Sequence, residues 1–482
     1  MPSNAVGQDM GANDVMSDAA HTLAPSAIEN DVKIDTRVSE HNLIKAMQQL
    51  QMSLIDPNDI PILRLSAIRL NGLKNTRHGF LSSLCRPYVD PTAPFTFMAD
   101  LRYGHRMNFP PLGEPTTVHT ILQAATSFSS DISRMDIAKD ISVHMEPSRV
   151  SQEHPTEDVD LILDIKPASR FFLKTSTSVG NSEGTASIQG KIRNLFGGAE
   201  SLEGSAMLGT RTKHSYNLVF ASPVFACPDL WVNVSAVSQH RDLTSFISAH
   251  EGQHMLRSAL MYAQNDGTRH ELAYEASHRH FHHMMPDASV AIRRLALPSF
   301  KSAISYTVER DSRDNTFATM AGTYFRSLWE YAGLGGDTSY MKVETHSSVS
   351  DIFADGCSWS LGAKFGMMVP LNGQTPCLND RFMLGGPTCI RMFRLNSLGP
   401  KFKRQLSQLQ QSTCDLVLTP PGSFWTMQRL VELAQPSASA GLGLLFQQGP
   451  IRLELNFGLP IMARCGDGLR KGLQFGIGID FL

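Results

Sequence analysis

Ile451-Arg-Leu-Glu-Leu-Asn-Phe-Gly-Leu459 alternates between apolar and polar positions without a break. Successive side chains of an extended chain point to opposite sides, so Ile451, Leu453, Leu455, Phe457 and Leu459 share one face and Arg452, Glu454, Asn456 and Gly458 the other. The final segment repeats the pattern, with Leu473, Phe475, Ile477, Ile479 and Phe481 set against Gly472, Gln474, Gly476, Gly478 and Asp480. Weaker copies stand at Leu230-Val232-Val234, Ile304-Tyr306-Val308 and Leu442-Leu444-Phe446. From Arg170 onward the period stays at two, giving about sixteen runs at roughly twenty residues per strand and turn, which suits strands that cross a bilayer in about 9–11 residues. A soluble β-sandwich also alternates, but its second face is solvent-polar and its apolar face packs a dry core. Here the polar face carries glycine as well as charge, which fits a water-filled lumen. The expected class is a membrane all-β protein, an antiparallel transmembrane β-barrel of about sixteen strands.

Composition agrees with that reading. Of 482 residues 42% are hydrophobic and only 18% charged, with 36 glycines and a formal charge of −2. The charge balance offers no basic footprint, so no nucleic-acid partner is expected. The seven cysteines are scattered and form no C-x-x-C pair, which argues against a disulfide framework or a zinc ribbon. No run approaches the roughly 20 apolar residues of a membrane-spanning helix, so a membrane protein of this sequence must be a closed barrel with lipid around it.

The N-terminal third reads differently. Residues 1–40 are rich in Ala, Ser, Asn and Asp, and are expected to be a disordered acidic tail with neither a secretory signal nor an Arg-rich transit peptide. Residues 41–166 suggest a helix from Glu40 to about Leu54, then a small α+β unit of order β-α-α-β-β. Its parts are a strand Leu63–Leu70 stopped by Asn71-Gly72, a helix capped by Thr76 and running towards Leu84, a proline-punctuated loop, a helix Thr117–Ala125, and strands near Ile137–Met145 and Asp158–Ile165. Residues 167–482 are assigned to the barrel.

Several motifs carry a resemblance. Gly180-Asn-Ser-Glu-Gly184, Arg193-Asn-Leu-Phe-Gly-Gly-Ala-Glu200, Glu309-Arg-Asp-Ser-Arg-Asp314, Glu330-Tyr-Ala-Gly-Leu-Gly-Gly-Asp337, Arg381-Phe-Met-Leu-Gly-Gly-Pro387 and Lys471-Gly-Leu-Gln-Phe-Gly-Ile-Gly-Ile-Asp-Phe-Leu482 stand in order along the chain. Together they resemble the central β-barrel subunit of the mitochondrial sorting and assembly machinery, in the BamA-like outer-membrane insertase superfamily. The resemblance covers about residues 60–482. It implies a single N-terminal POTRA-like domain facing the intermembrane space, residence in the mitochondrial outer membrane, and insertion of β-barrel precursors. The implied partners are those precursors, recognised through a C-terminal signal, and peripheral subunits of the machinery.

In the family the long loop after the eleventh strand carries an Ile/Val-Arg-Gly-Phe motif that folds back into the lumen. The matching residues are Ile390, Arg391, Met392 and Phe393, within a lumen loop at about 370–400, and Met392 replaces the glycine. Arg391 is expected to pair with an inward carboxylate, Glu454 or Glu432.

A barrel must also close its first strand, Arg170 to about Val179, on its last, Lys471–Phe481. Arg170, Phe171, Leu173 and Thr175 on one side, and Gly472, Gln474, Gly476, Ile477, Gly478, Ile479 and Phe481 on the other, are the expected lateral-gate residues. Glycine removes side-chain packing there, so this seam should be the weakest. If it opened, an incoming strand would satisfy the bared backbone groups by β-augmentation. The chain's own end, Gln474-Phe-Gly476-Ile-Gly-Ile479-Asp-Phe481, fits the polar-x-Gly-x-x-hydrophobic-x-hydrophobic signal of substrates of the related machinery.

One enzyme signal competes. His250-Glu-Gly-Gln-His254 matches H-E-x-x-H, which on a helix would hold Zn²⁺ through His250 and His254 with Glu251 as general base and Glu271 or Glu275 as third ligand. Gly252 and the period-two flanks favour a turn between the fifth and sixth strands instead. His278, His280 and His282, with His283 adjacent, are expected to lie on one polar strand end at the membrane surface. No cofactor, resident metal or catalytic residue is therefore expected. A passive porin-like channel is the remaining alternative.

Overall fold

The structure is a computed structural model. It describes residues 62–89, 109–148, 158–180, 183–354, 357–371, 377–398, 437–448, 451–463 and 467–481, apart from a few single positions and residues 315–318 and 387–389. The expected tail, the helix from Glu40 and Glu432 lie outside the described residues.

Two sheets organise the chain. The first has four strands in the order β2-β1-β4-β3, namely β1 (Ile62–Asn71), β2 (Pro115–Thr117), β3 (Ala138–Pro147) and β4 (Asp158–Pro167). Between them run α1 (His78–Val89) and α2 (Val118–Arg134). The expected order β-α-α-β-β gains the short strand β2 between the two helices, and both helices are longer than expected. Thr117 starts α2, its Oγ1 accepting from the Thr120 N–H at 3.4 Å. The helix then buries Ile121, Ala124, Ala125, Phe128 and Ile132, a stripe at helical spacing. Helix α1 runs past Leu84 and through Pro87.

The chain forms two compact units. The first takes in described residues 62–67, 110–122, 147–148 and 158–160, where β1 pairs with β2 from Ile62↔Thr117 to Arg64↔Pro115. The second takes in residues 68–109, 123–146 and everything from Leu161 onward. Within the second unit the Arg193–Glu200 motif forms a tight turn with Asn194, Gly197 and Ala199 at positive φ. The Arg77 N–H donates to the Gly197 carbonyl at 2.8 Å, and the Arg77 guanidinium pairs with Glu200 at 2.5 Å. Asp136 pairs with Lys191 at 2.7 Å and with Arg193 at 2.8 Å. Partial burial works against the Asp136 charge, but these hydrogen bonds outweigh it and hold the carboxyl below its ordinary range.

The second sheet has fourteen antiparallel strands among the described residues. They are β5 (Phe171–Gly180), β6 (Glu183–Arg193), β7 (Ser201–Gly209), β8 (Thr212–Pro223), β9 (Leu230–Asp242), β10 (His250–Ala263), β11 (Thr268–His282), β12 (Ser299–Asp311), β13 (Gly322–Ala332), β14 (Tyr340–Ala354), β15 (Cys357–Pro370), β16 (Ala438–Gln448), β17 (Ile451–Met462) and β18 (Gly472–Phe481). A short α3 (Val290–Leu295) sits between β11 and β12. Hairpins link neighbours from β5 to β15 and from β16 to β18, and β18 pairs with β5. The stretch 399–436, between β15 and β16, lies outside the described residues, so fourteen is not a count of the whole barrel.

The burial pattern is inside out. Leu453, Leu455, Phe457, Leu459 and Ile461 are exposed, as are Phe171, Leu173, Leu218, Leu256 and Leu272. The alternate positions hold buried polar groups, among them Arg279, Lys301, Ser305, Thr307 and Ser327. In water an apolar band of that extent would drive aggregation, whereas lipid is its natural solvent. This rules out the sandwich, whose apolar face would be the buried one. Among the described residues no helix is long and apolar enough to cross a membrane.

Candidate functional site: a lumen strap and a short seam

Polar side chains turned into a lumen can hold a chain segment inside the barrel if their charges find partners. The segment after β15, the eleventh barrel strand, is held in this way at two ends. At its start, Asp380 is clasped by Arg279 of β11 at 2.6 and 3.1 Å, and both residues are only 4% exposed. The Tyr340 hydroxyl donates to Asp380 at 2.9 Å and also lies 2.8 Å from Glu330. Lys301 bridges Glu330 at 2.5 Å and Glu275 at 3.1 Å. Asn379 donates to Glu251 of β10, and Lys342 donates to the Asp380 carbonyl at 3.3 Å. Phe382 seats beside Ala303, Ala332, Tyr340 and Met368. Gly366 leaves its place, since a Cβ there would meet the Phe382 ring at 2.5 Å. Sequence reasoning missed this anchor.

The far end holds the four motif residues. Ile390 pairs back on Gly386, and Phe393, 2% exposed, bridges Leu469 just before β18. The Arg394 N–H donates to Gly468 at 2.8 Å, and the Arg470 N–H to the Met392 carbonyl at 3.0 Å. Arg391 reaches Glu454 of β17 at 2.8 Å and also donates to Asn456, while its carbonyl accepts from Ser439 of β16 at 2.9 Å. The structure thus brings Arg391 to Glu454, one of the two carboxylates named from the polar face. Met392 stands at φ 69°, the left-handed region that glycine enters freely. A side chain there costs about 1–2 kcal/mol.

The seam is short. Residues 175–180 of β5 pair with 476–481 of β18, six a side, from Thr175↔Phe481 to Gly180↔Gly476. By comparison β10 and β11 pair over fourteen. Phe171 and Leu173 project outward with no β18 partner among the described residues, and Arg170 precedes the strand. Gly472 and Gln474 pair with β17 alone, while Gly476, Ile477, Gly478, Ile479 and Phe481 pair across the seam. In this register Ile477 lies opposite Val179, and Thr175 lies opposite Phe481. At Gly180 and Gly476 the backbones approach so closely that a Cβ on Gly180 would fall 2.8 Å from the Gly476 Cα.

The zinc-protease alternative fails on geometry. His250–His254 opens strand β10 rather than forming a helix or a turn. In a strand the two histidines lie about 13 Å apart on one face, too far for one ion, and Glu251 points to the other face. Glu251 is buried inside, bonded to Asn379. On the outward face His214, His240, His250, His254, His278, His280, His282 and His283 gather at one end of β8–β11, with His240 and His282 rings 5.4 Å apart. Among the described residues no three His, Cys, Asp or Glu groups are set to hold a metal ion.

Comparison with known proteins agrees with this architecture. Residues 194–413 match the Omp85 superfamily domain. A SAM50-like protein of Schizosaccharomyces pombe is 28% identical over 488 residues, covering 94% of this chain and 97% of that one. The sorting and assembly machinery component 50 homolog of Homo sapiens is 26% identical over 387 residues, covering 72% and 81%. Among solved structures, BamA from Haemophilus ducreyi lacking POTRA domains 1–3 has the same fold, with a TM-score of 0.65 at 15% identity over 87% of this chain and 85% of that one. Domain match, a near full-length relative and shared fold converge on one similarity: the chain resembles the SAM50- and BamA-like proteins of the Omp85 superfamily.

Proposed function

We propose that this protein inserts and assembles β-barrel precursors in the mitochondrial outer membrane. A β-barrel assembly role accords with the SAM50 relatives, and the finer mechanism rests on one observation, the six-residue seam between β5 and β18. Each ladder bond lost in lipid leaves a donor and an acceptor unsatisfied, at several kcal/mol apiece. A seam with fewer such bonds is the cheapest place to part. A precursor strand that pairs with the bared edge of β5 restores the lost bonds, so strand exchange needs neither ATP nor covalent chemistry. Arg170, Phe171, Leu173 and Thr175 then form the receiving edge, and the β18 residues from Gly472 to Phe481 the strand displaced. A porin-like pore has no use for a strap anchored at both ends across its lumen.

The test is reconstitution. Liposomes carrying the protein should integrate an added β-barrel precursor into a protease-resistant, heat-modifiable form, and protein-free liposomes should not. Equal integration in both would remove the assembly role.

On this reading residues 41–166 form a POTRA-like domain in the intermembrane space, residues 167–482 the barrel, and peripheral subunits dock at its faces. An even strand number returns both ends of the barrel to one side. Protease added to intact mitochondria should spare residues 60–166 and cut them once the outer membrane is opened. Cleavage with the membrane intact would reverse the orientation.

A further inference from the structure

Met392 is strained where its family counterpart is glycine, and its surroundings are shaped to receive it. The residue is 3% exposed. Gly458 of β17 leaves a notch for its side chain, since a Cβ at Gly458 would lie 2.9 Å from Met392 Cγ and 3.0 Å from its Cε. Its sulfur accepts from the Gln474 amide of β18 at 3.6 Å, and Gln474 is itself 4% exposed. Its carbonyl accepts from the Arg470 N–H, on the approach to β18. Met392 thereby ties the strap to the penultimate and the last strand.

We propose that Met392 is a latch, a positioning residue that holds β18 to the strap and so keeps the seam closed. The proposal rests on the gate reading above and adds to it a device that holds the gate shut. A left-handed backbone is unfavourable for methionine, and only a compensating contact makes it worth keeping. The two roles a buried methionine can have here differ in sign. If Met392 were a bystander, Met392→Gly would relieve the strain and tighten the seam. If it is a latch, the same change empties the notch, frees Gln474 and loosens the seam despite the better backbone.

Hydrogen exchange on the full-length protein in lipid nanodiscs separates the two. The latch predicts that Met392→Gly speeds exchange of the 472–481 amides by roughly tenfold while β10 and β11 stay unchanged, and that Met392→Leu, which refills the notch, stays within about twofold of the parent. Unchanged or slower exchange in 472–481 with Met392→Gly would overturn the proposal. So would an equal rise in all strands, which marks general loss of packing. Exchange reads the seam without any precursor, so failure of the latch and failure of insertion through the seam are told apart.

Discussion

Asp380→Ala should lower the temperature at which the barrel loses its compact, heat-modifiable form by about 10 °C, because removing one partner of a buried ion pair costs roughly 3–5 kcal/mol. The physical reason is the company Asp380 keeps. Arg279 donates to both of its carboxylate oxygens from a site 4% exposed, and Tyr340 donates to one of them. Without the carboxylate a guanidinium is left buried and unpaired, and the strap loses its hold on β11 and β14. Arg391→Ala is the natural comparison. Its partner Glu454 lies at 2.8 Å, nearly as close, but the Arg391 side chain is 48% exposed, so water and salt screen the pair and the loss should be about 1 kcal/mol or less. Pairing Asp380→Leu with Arg279→Met should recover much of the stability lost in the single change, since no charge is then stranded. If Asp380→Ala melts no lower than Arg391→Ala, the main anchor of the strap is not where the geometry puts it.

How much of this the sequence discloses depends on how local each determinant is. Alternation in Ile451–Leu459 and Leu473–Phe481 is local, so the barrel and its inside-out faces are readable from single strands. The lumen motif is readable too, and Met392 stands out because only one residue breaks the pattern. The Asp380 anchor is not readable. Arg279 sits among histidines in a strand that reads as merely polar, and its partner lies 101 residues away. An inward charge on a lumen face looks like any other until its partner is known. The seam register escapes for another reason. Hairpin turns fix the register of neighbouring strands, but no turn joins β5 to β18, so nothing local tells which residue of β18 lies opposite Thr175. Likewise Pro87 suggested an end for α1, and packing of Leu84 and Tyr88, both buried, carries the helix beyond it.

Val179 and Ile477 face each other across the seam and both project outward, at 55% and 40% exposure. Directly opposed residues on antiparallel strands fall within disulfide reach, with Cα atoms about 4.4–6.8 Å apart as a disulfide needs. Cysteines at these two positions should therefore oxidise to a covalent staple without distorting either strand. The staple leaves the lumen, the strap and the N-terminal unit untouched, and removes only the freedom of β5 and β18 to part. The decisive measurement is precursor insertion by liposomes carrying Val179→Cys with Ile477→Cys, oxidised and then reduced. Sideways opening predicts that the oxidised protein stays folded and membrane-embedded, inserts precursor at least about tenfold more slowly, and recovers on reduction, since strand exchange needs an exposed edge. Insertion at the parent rate with the staple intact would contradict the account, and passage through the lumen or thinning of the bilayer beside the barrel would have to carry the reaction.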